Sequence, residues 1–440
     1  MSSQPPRSAP GRALGEVRAW RDALATVAAG IVALFVVAAL GLWAAGAATL
    51  PGGAFPHVVA ATVVTAVGGT VRLSGGAGPI AQSGGGLNVV PLSVTLAGAL
   101  AIAVVFLLPL RHHAVVSGPQ LLARIARTAV LWLLALLIVA LGAKHTFRIS
   151  LGDEALDDIG DLLGATPSVG FRAAVGSTLG FGLLWLLVLL AVASAVSRKT
   201  PLPPRLLPFQ DSVRPAAFAM LVVLLTYVVL GLAIGVVMLF TRGQPDRTAA
   251  VLLLGLPNLV WLAFGVGLGG AWEGRVPDPI GLPMPRALVT VLRQRDGEAT
   301  GTVDLGSLAE QDGRAWLLVV VAAVALLAAG LLMAVRSPAD TRLWQHAVRL
   351  GIAVAITLLV VGLLTRVSAR FGLSLFGIGD LDAFGGEVLL RPRLWQLVGV
   401  GLLWGLIAGF LGGLFTSRVR RRGEVTPDAA EEGRGGTARS

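Results

Sequence analysis

"TSRVRRRGEV", residues 416–425, follows the last long apolar stretch of the chain and holds Arg418, Arg420, Arg421 and Arg422. A cluster of this kind marks the cytoplasmic side of a membrane. The N-terminal segment ahead of the first apolar stretch carries Arg7, Arg12, Arg18 and Arg21, which places the N-terminus on the same side. The number of crossings between them must then be even, and that count decides the fold.

That the chain crosses a membrane follows from composition. Hydrophobic residues make up 55% and charged residues 13%, with mean hydropathy +0.81. Soluble domains carry about 25% charged residues. Nine long apolar stretches lie near 23–48, 92–110, 128–143, 172–196, 216–240, 248–271, 315–335, 347–365 and 394–416. A tenth, 57–71, would form a helix of only about 22 Å, short of the roughly 30 Å hydrocarbon core. The first stretch is too long for a cleaved signal, whose apolar part is about 7–15 residues, and is read as a retained span.

Nine spans leave the terminal arginines outside. Ten bring them in, but export Arg111, Arg124 and Arg127 and draw the acidic "LGDEALDDIGD" (151–161) inside. An internal comparison resolves the conflict. When the chain is slid along itself so that Arg127 falls on Arg349, the same offset places Lys144 on Arg366, Arg148 on Arg370, Asp158 on Asp380, Arg198 on Arg420 and Lys199 on Arg421. Upstream, "VVTAVGGTVRL" resembles "AFGVGLGGAWEGRV", so stretches 57–71 and 248–270 hold the same place in their halves. If both dip into the membrane and return, each half has four full spans and both point the same way. Pro257 with Asn258 supplies a break for the second, because proline removes a donor and clashes one turn back; the alternative is a kinked full span.

The predicted fold is all-α: an integral membrane protein of about eight transmembrane helices plus two re-entrant or broken ones, in two parallel pseudo-repeats. Residues 1–22 form a basic cytoplasmic N-terminus, 23–199 the first repeat, 200–215 a cytoplasmic linker, 216–422 the second repeat, and 423–440 a disordered cytoplasmic tail. The predicted cytoplasmic segments hold 18 of the 35 Lys+Arg.

The net charge of +11 does not indicate nucleic acid; the basic residues sit between apolar segments, where they orient spans. With no cysteine, thiolate chemistry is excluded. The five histidines show no metal-ligand spacing, so no metal and no cofactor are expected. No Ser/His pair or acid dyad lies within a span, and no enzymatic activity is expected.

The outside connections 72–91 and 271–314 follow the two unusual stretches. "SGGGLN" is either a flexible loop or a backbone nest for an anion, "PRALVTVLRQ" a short surface helix, and "EATGTVDLG" (298–306) strand or coil. Connections 144–171 and 366–393 open with basic residues four apart, one face of an interfacial helix, followed by acidic residues. Asp158 and Asp380 are the candidates for an outer vestibule. Arg72, Glu273 and Arg275 lie just past the pairs Gly68–Gly69 and Gly269–Gly270 and, with Asn258, are the candidate pore- or substrate-facing residues. Small residues in "GFLGG" (409–413) and "AAG" (44–46) allow close helix contact.

At "GGAWEGRVPDPIGLPMP" (269–285), within this arginine-biased, cysteine-free, two-part chain, the sequence resembles the streptophobe family, very hydrophobic actinobacterial membrane proteins. The resemblance spans about residues 20–420. It implies an all-helical fold in a bacterial cytoplasmic membrane and brings no functional residues. The lipid bilayer is the one partner the sequence names. The functional expectation is a channel- or transporter-like protein, or else a non-catalytic scaffold or accessory subunit of a cell-envelope complex.

Overall fold

The computed structural model describes residues 9–77, 81–109, 118–148, 167–197, 207–241, 243–275, 301–338, 341–375 and 381–416. Among these are eleven α-helices: α1 Ala9–Ala44, α2 Phe55–Ala66, α3 Leu92–Leu107, α4 Gly118–Gly142, α5 Val175–Val196, α6 Leu207–Thr241, α7 Pro245–Gly267, α8 Leu305–Gln311, α9 Leu317–Arg336, α10 Leu343–Leu364 and α11 Leu394–Thr416. Eight helices are long and apolar enough to cross a membrane, so the chain is a multi-pass integral membrane protein with an all-α membrane part. Their outer faces fit lipid. On α1, Ala23, Val27, Leu34 and Ala38 form one buried stripe, while Val32, Val36 and Leu40 stay exposed, as expected where the solvent is hydrocarbon.

Small residues set how closely the helices approach. Gly98 on α3 lies against Leu34 of α1, and Gly182 on α5 against Leu136 of α4. In α11 the contact is tighter: Gly412 faces the backbone of Gly330 in α9, and Gly405 and Gly409 face the backbone of α10 at Leu350–Gly351 and His346–Ala347. This is the close contact expected of "GFLGG". In "AAG", Gly46 lies just beyond α1 with φ 83°.

Of the eight strands, β1 Val71–Ala77, β2 Ala81–Asn88, β3 Lys144–Arg148, β4 Pro167–Ala173, β5 Trp272–Arg275, β6 Gly301–Val303, β7 Val367–Leu375 and β8 Leu381–Pro392, the sequence foretells only β6, as strand or coil. They form one antiparallel sheet in the order β3-β4-β1-β2-β7-β8-β5-β6. The interfacial helices expected at the starts of 144–171 and 366–393 are therefore strands. "KHTFR" and "VSARFGLSL" alternate and carry β-branched and aromatic residues, which favours pleated backbone. Basic residues four apart share a face in a strand as well as in a helix. "SGGGLN" is part of β2, paired on both sides, and is neither a loop nor a nest. In "EATGTVDLG", β6 is followed by Asp304, which caps α8 by accepting from Ser307 N at 2.8 Å. Residues 1–8, 285–294 and 417–440 lie outside the described residues.

The second half repeats the element order of the first, with α8 added. Its four strands also take the same relative places, β7-β8-β5-β6 against β3-β4-β1-β2. One ladder joins the blocks: β2 pairs with β7 from Ala81↔Leu375 to Asn88↔Ser368.

All eight strands sit at one end of the bundle, and α2 and α7 lie at that end too. His57, in the first turn of α2, donates from Nδ1 to the carbonyl oxygen of Gly142, the last residue of α4, at 2.7 Å. At the other end of α2, Ala66 O accepts from Thr95 Oγ1 at the start of α3, 2.7 Å away. On α7, Leu253 and Leu254 lie beside Gly41, near the end of α1; Asn258 meets Leu92, the first residue of α3; and Gly267 meets Leu318, the second residue of α9. Those are the sheet-side ends of three different helices. Helix α3, at 16 residues, runs antiparallel to α1 through the bundle, Ile102 lying against Gly30 and Leu34 against Gly98.

The half-helix break expected at Pro257–Asn258 is absent; α7 is continuous from Pro245 to Gly267. Ser93 explains how the proline is accommodated. Its Oγ donates to Leu252 O (2.8 Å) and accepts from Leu256 N (3.1 Å), inserting a hydroxyl into the backbone ladder just before Pro257. Both α2 and α7 end on the same glycine turn. Gly69 N donates to Val64 O and Gly68 N to Thr65 O; Gly270 N donates to Gly265 O and Gly269 N to Val266 O. Gly68 has φ 86° and Gly269 φ 97°, values that side chains disfavour.

Candidate anion site on the helix-proximal row of the sheet

Each glycine turn delivers the chain into a strand whose second residue is charged: Arg72 on β1, Glu273 on β5. The backbone makes these positions equivalent. Ala174 N donates to Thr70 O, and Arg393 N donates to Ala271 O, both at 2.9 Å, one residue before each strand.

In the first half Arg72 stands opposite Arg172 on β4, and Arg172 opposite Lys144 on β3. Three cations thus stand side by side on one face, all exposed. Like charges directly opposite across strands destabilise a sheet. Among the described residues, no carboxylate pairs with any of the three.

In the second half one position of the row changes sign. Arg391 on β8 stands opposite Glu273, and Glu273 Oε1 accepts from Arg393 Nε at 2.7 Å. Arg366 precedes β7 and corresponds to Lys144 at the offset that relates the two halves.

Between the two rows, where β2 meets β7, lies a cavity of about 290 Å³ with Arg72, Arg366 and Arg391 in its lining. Gly86, Asn88 and Ser368 line it as well. A Cβ added to Gly86 would meet no atom within 4 Å; the missing side chain leaves the floor open. Three guanidiniums, an amide and a hydroxyl supply donors to an anion. Arg366 lies two residues beyond α10, and Arg391 three residues before α11. The cavity therefore sits at the level where the helices end.

The candidate residues of the sequence fall in four places. Arg72 lines the cavity. Glu273 is in the equivalent row and is ion-paired, and Arg275 ends β5 opposite Leu389. Asn258 does not line the cavity: its Oδ1 accepts from Leu92 N and its Nδ2 donates to Val90 O, both at 3.0 Å. It serves as a cap in trans for α3, whose N-cap position holds Pro91 and has no side-chain cap of its own. Asp158 and Asp380 lie outside the described residues. Among the described residues no group of three or more His, Asp or Glu converges.

Sequence reasoning missed Arg172, Arg366 and Arg391 as site residues. For Arg172 and Arg391 the signal was present in "FRA" and "RPR", basic residues just ahead of apolar runs. Compared with protein-family models, curated proteins and solved structures, the chain shows no match.

Proposed function

We propose that this membrane protein is a fixed, non-enzymatic platform, a scaffold or accessory subunit of a cell-envelope complex. In this reading it holds its sheet on the outer face of a bacterial cytoplasmic membrane. The supporting observation is the β2–β7 ladder, eight consecutive residue pairs joining the first half to the second. A carrier working by alternating access rocks one repeat against the other. Roughly eight hydrogen bonds at a net ~0.5–1.5 kcal/mol each amount to several kcal/mol against such motion, and the Asn258 clasp adds to them.

The matching element orders motivate reading the chain as a duplicated unit. Helices α1, α4, α5, α6, α9, α10 and α11 cross, and the 16-residue α3 crosses beside α1; α7, although long and apolar enough to cross, stays with α2 at the sheet end, and both termini are cytoplasmic. Membership of the streptophobe family belongs to the same proposal and rests on the 269–285 motif.

The second reading, a channel or transporter, is favoured by the same two-part order, which is common among carriers. One experiment separates the two. Spin labels on cysteines at Leu122 and Trp344, exposed near the bundle end opposite the sheet, should give a single narrow distance in nanodiscs, and proteoliposomes should show no protein-dependent flux of ions or small solutes. Two interconverting distances together with flux would reverse the assignment.

A further inference from the structure

We propose that the cavity at the β2–β7 junction is a phosphate-binding site, taking the phosphate of an anionic lipid headgroup or a free phosphate. This does not depend on the platform reading.

Three observations meet here. The first is excess positive charge: Arg72, Arg366 and Arg391 line one cavity, the one carboxylate opposite Arg391 is Glu273, which is already held by Arg393, and Arg72 heads a row continued by Arg172 and Lys144. Evolving or keeping such a row costs stability unless an anion neutralises it. The second is fit to the ligand's valence and shape. Guanidinium groups meet phosphate oxygens with paired donors, and Asn88 and Ser368 add an amide and a hydroxyl to the lining. The third is depth. Arg366 and Arg391 lie within three residues of the ends of α10 and α11, and the headgroup layer is the few ångströms just beyond the hydrocarbon core. A lipid standing in the outer leaflet would present its phosphate at this height, and the open floor at Gly86 leaves the space for it.

The second half carries an internal control. The position equivalent to Arg72 is Glu273, which already holds Arg393. An anion is thus specified once, at the junction, and not twice.

Gly86 provides the cleanest test, since its substitution meets open space. Gly86→Glu places a carboxylate among the arginines; Gly86→Ala leaves them free. The full chain in phosphatidylcholine nanodiscs would be titrated with inorganic phosphate and, separately, with acetate. In parallel, nanodiscs doped with phosphatidic acid would be analysed by native mass spectrometry for retained lipid.

The proposal expects phosphate or phosphatidate to bind at least tenfold more tightly than acetate or phosphatidylcholine. Gly86→Glu and Arg72→Gln should each lower that affinity about tenfold or more, with Gly86→Ala near wild type. Retention of phosphatidate identifies the lipid as the source; binding of inorganic phosphate alone identifies a free phosphate. Acetate binding as tightly as phosphate would overturn the assignment. So would phosphate binding that Gly86→Glu leaves unchanged, or no binding by either ligand. Should Arg72→Gln fail to fold, the Gly86 pair decides.

Discussion

The two halves of the sheet are built to one plan and differ at one residue that matters. Arg72 and Glu273 follow equivalent glycine turns, in the second position of equivalent strands. In the first half the row reads Lys144, Arg172, Arg72; in the second it reads Arg366, Arg391, Glu273, and Glu273 is tied to Arg393. A single change of sign gives one row a paired carboxylate at its last position and leaves every position of the other a cation. Scaffold and site are thus separable: the order of helices and strands is common to both halves, while the chemistry is confined to the junction.

Packing differs between the halves as well. In the second, Gly412 meets the backbone of Gly330, which cannot move aside; in the first, Gly98 meets the side chain of Leu34, which can. Gly412→Leu should destabilise by about 3 kcal/mol, at the upper end of overpacking costs. Gly98→Leu should cost clearly less. Thermal unfolding in one detergent, followed by tryptophan fluorescence, checks the order, and equal losses would erase this contrast.

Next in size is the junction. Asn258→Leu removes two hydrogen bonds and leaves Leu92 N–H and Val90 C=O without their partner, a loss of about 2 kcal/mol. Faster hydrogen exchange at the start of α3, with α11 unchanged, would locate the effect. The smallest stability effect belongs to the row itself. Glu273 and Arg393 are 46% and 40% exposed, so Glu273→Gln should cost less than about 1 kcal/mol. Its informative readout is binding: the open second row should weakly gain affinity for inorganic phosphate. Arg72→Glu does the converse, making the first row resemble the second; it should abolish phosphate binding with the unfolding temperature nearly unchanged.

Much of this fold was legible in the sequence. The composition and the long apolar stretches give the membrane-protein class, and the constant offset between paired residues such as Arg127 and Arg349 gives the correspondence between segments. The glycine pairs 68–69 and 269–270 mark the turns found at the ends of α2 and α7. The sheet was not legible, because Lys144 with Arg148, and Arg366 with Arg370, share a face under either period, and glycines such as those of "SGGGLN" are poor strand formers. Pro257 misled for a different reason. Its cost is met by Ser93, a residue in the other half of the chain, and no local pattern shows that. The cavity was half legible: Arg72 is visible beside its glycine turn, but the register that brings Arg366 and Arg391 to it is a property of the assembled sheet.

The central claim is that both halves present their strands on one side of the membrane. The chain offers a cysteine-free background. Single cysteines at Ser74 and Gln311 report the sheet end of each half, and Gln120 and Arg342 the opposite end; all four positions are exposed. In intact cells a membrane-impermeant maleimide should label Ser74→Cys and Gln311→Cys, and should reach Gln120→Cys and Arg342→Cys only after permeabilisation. Labelling of Ser74→Cys and Gln311→Cys from opposite faces would contradict the account.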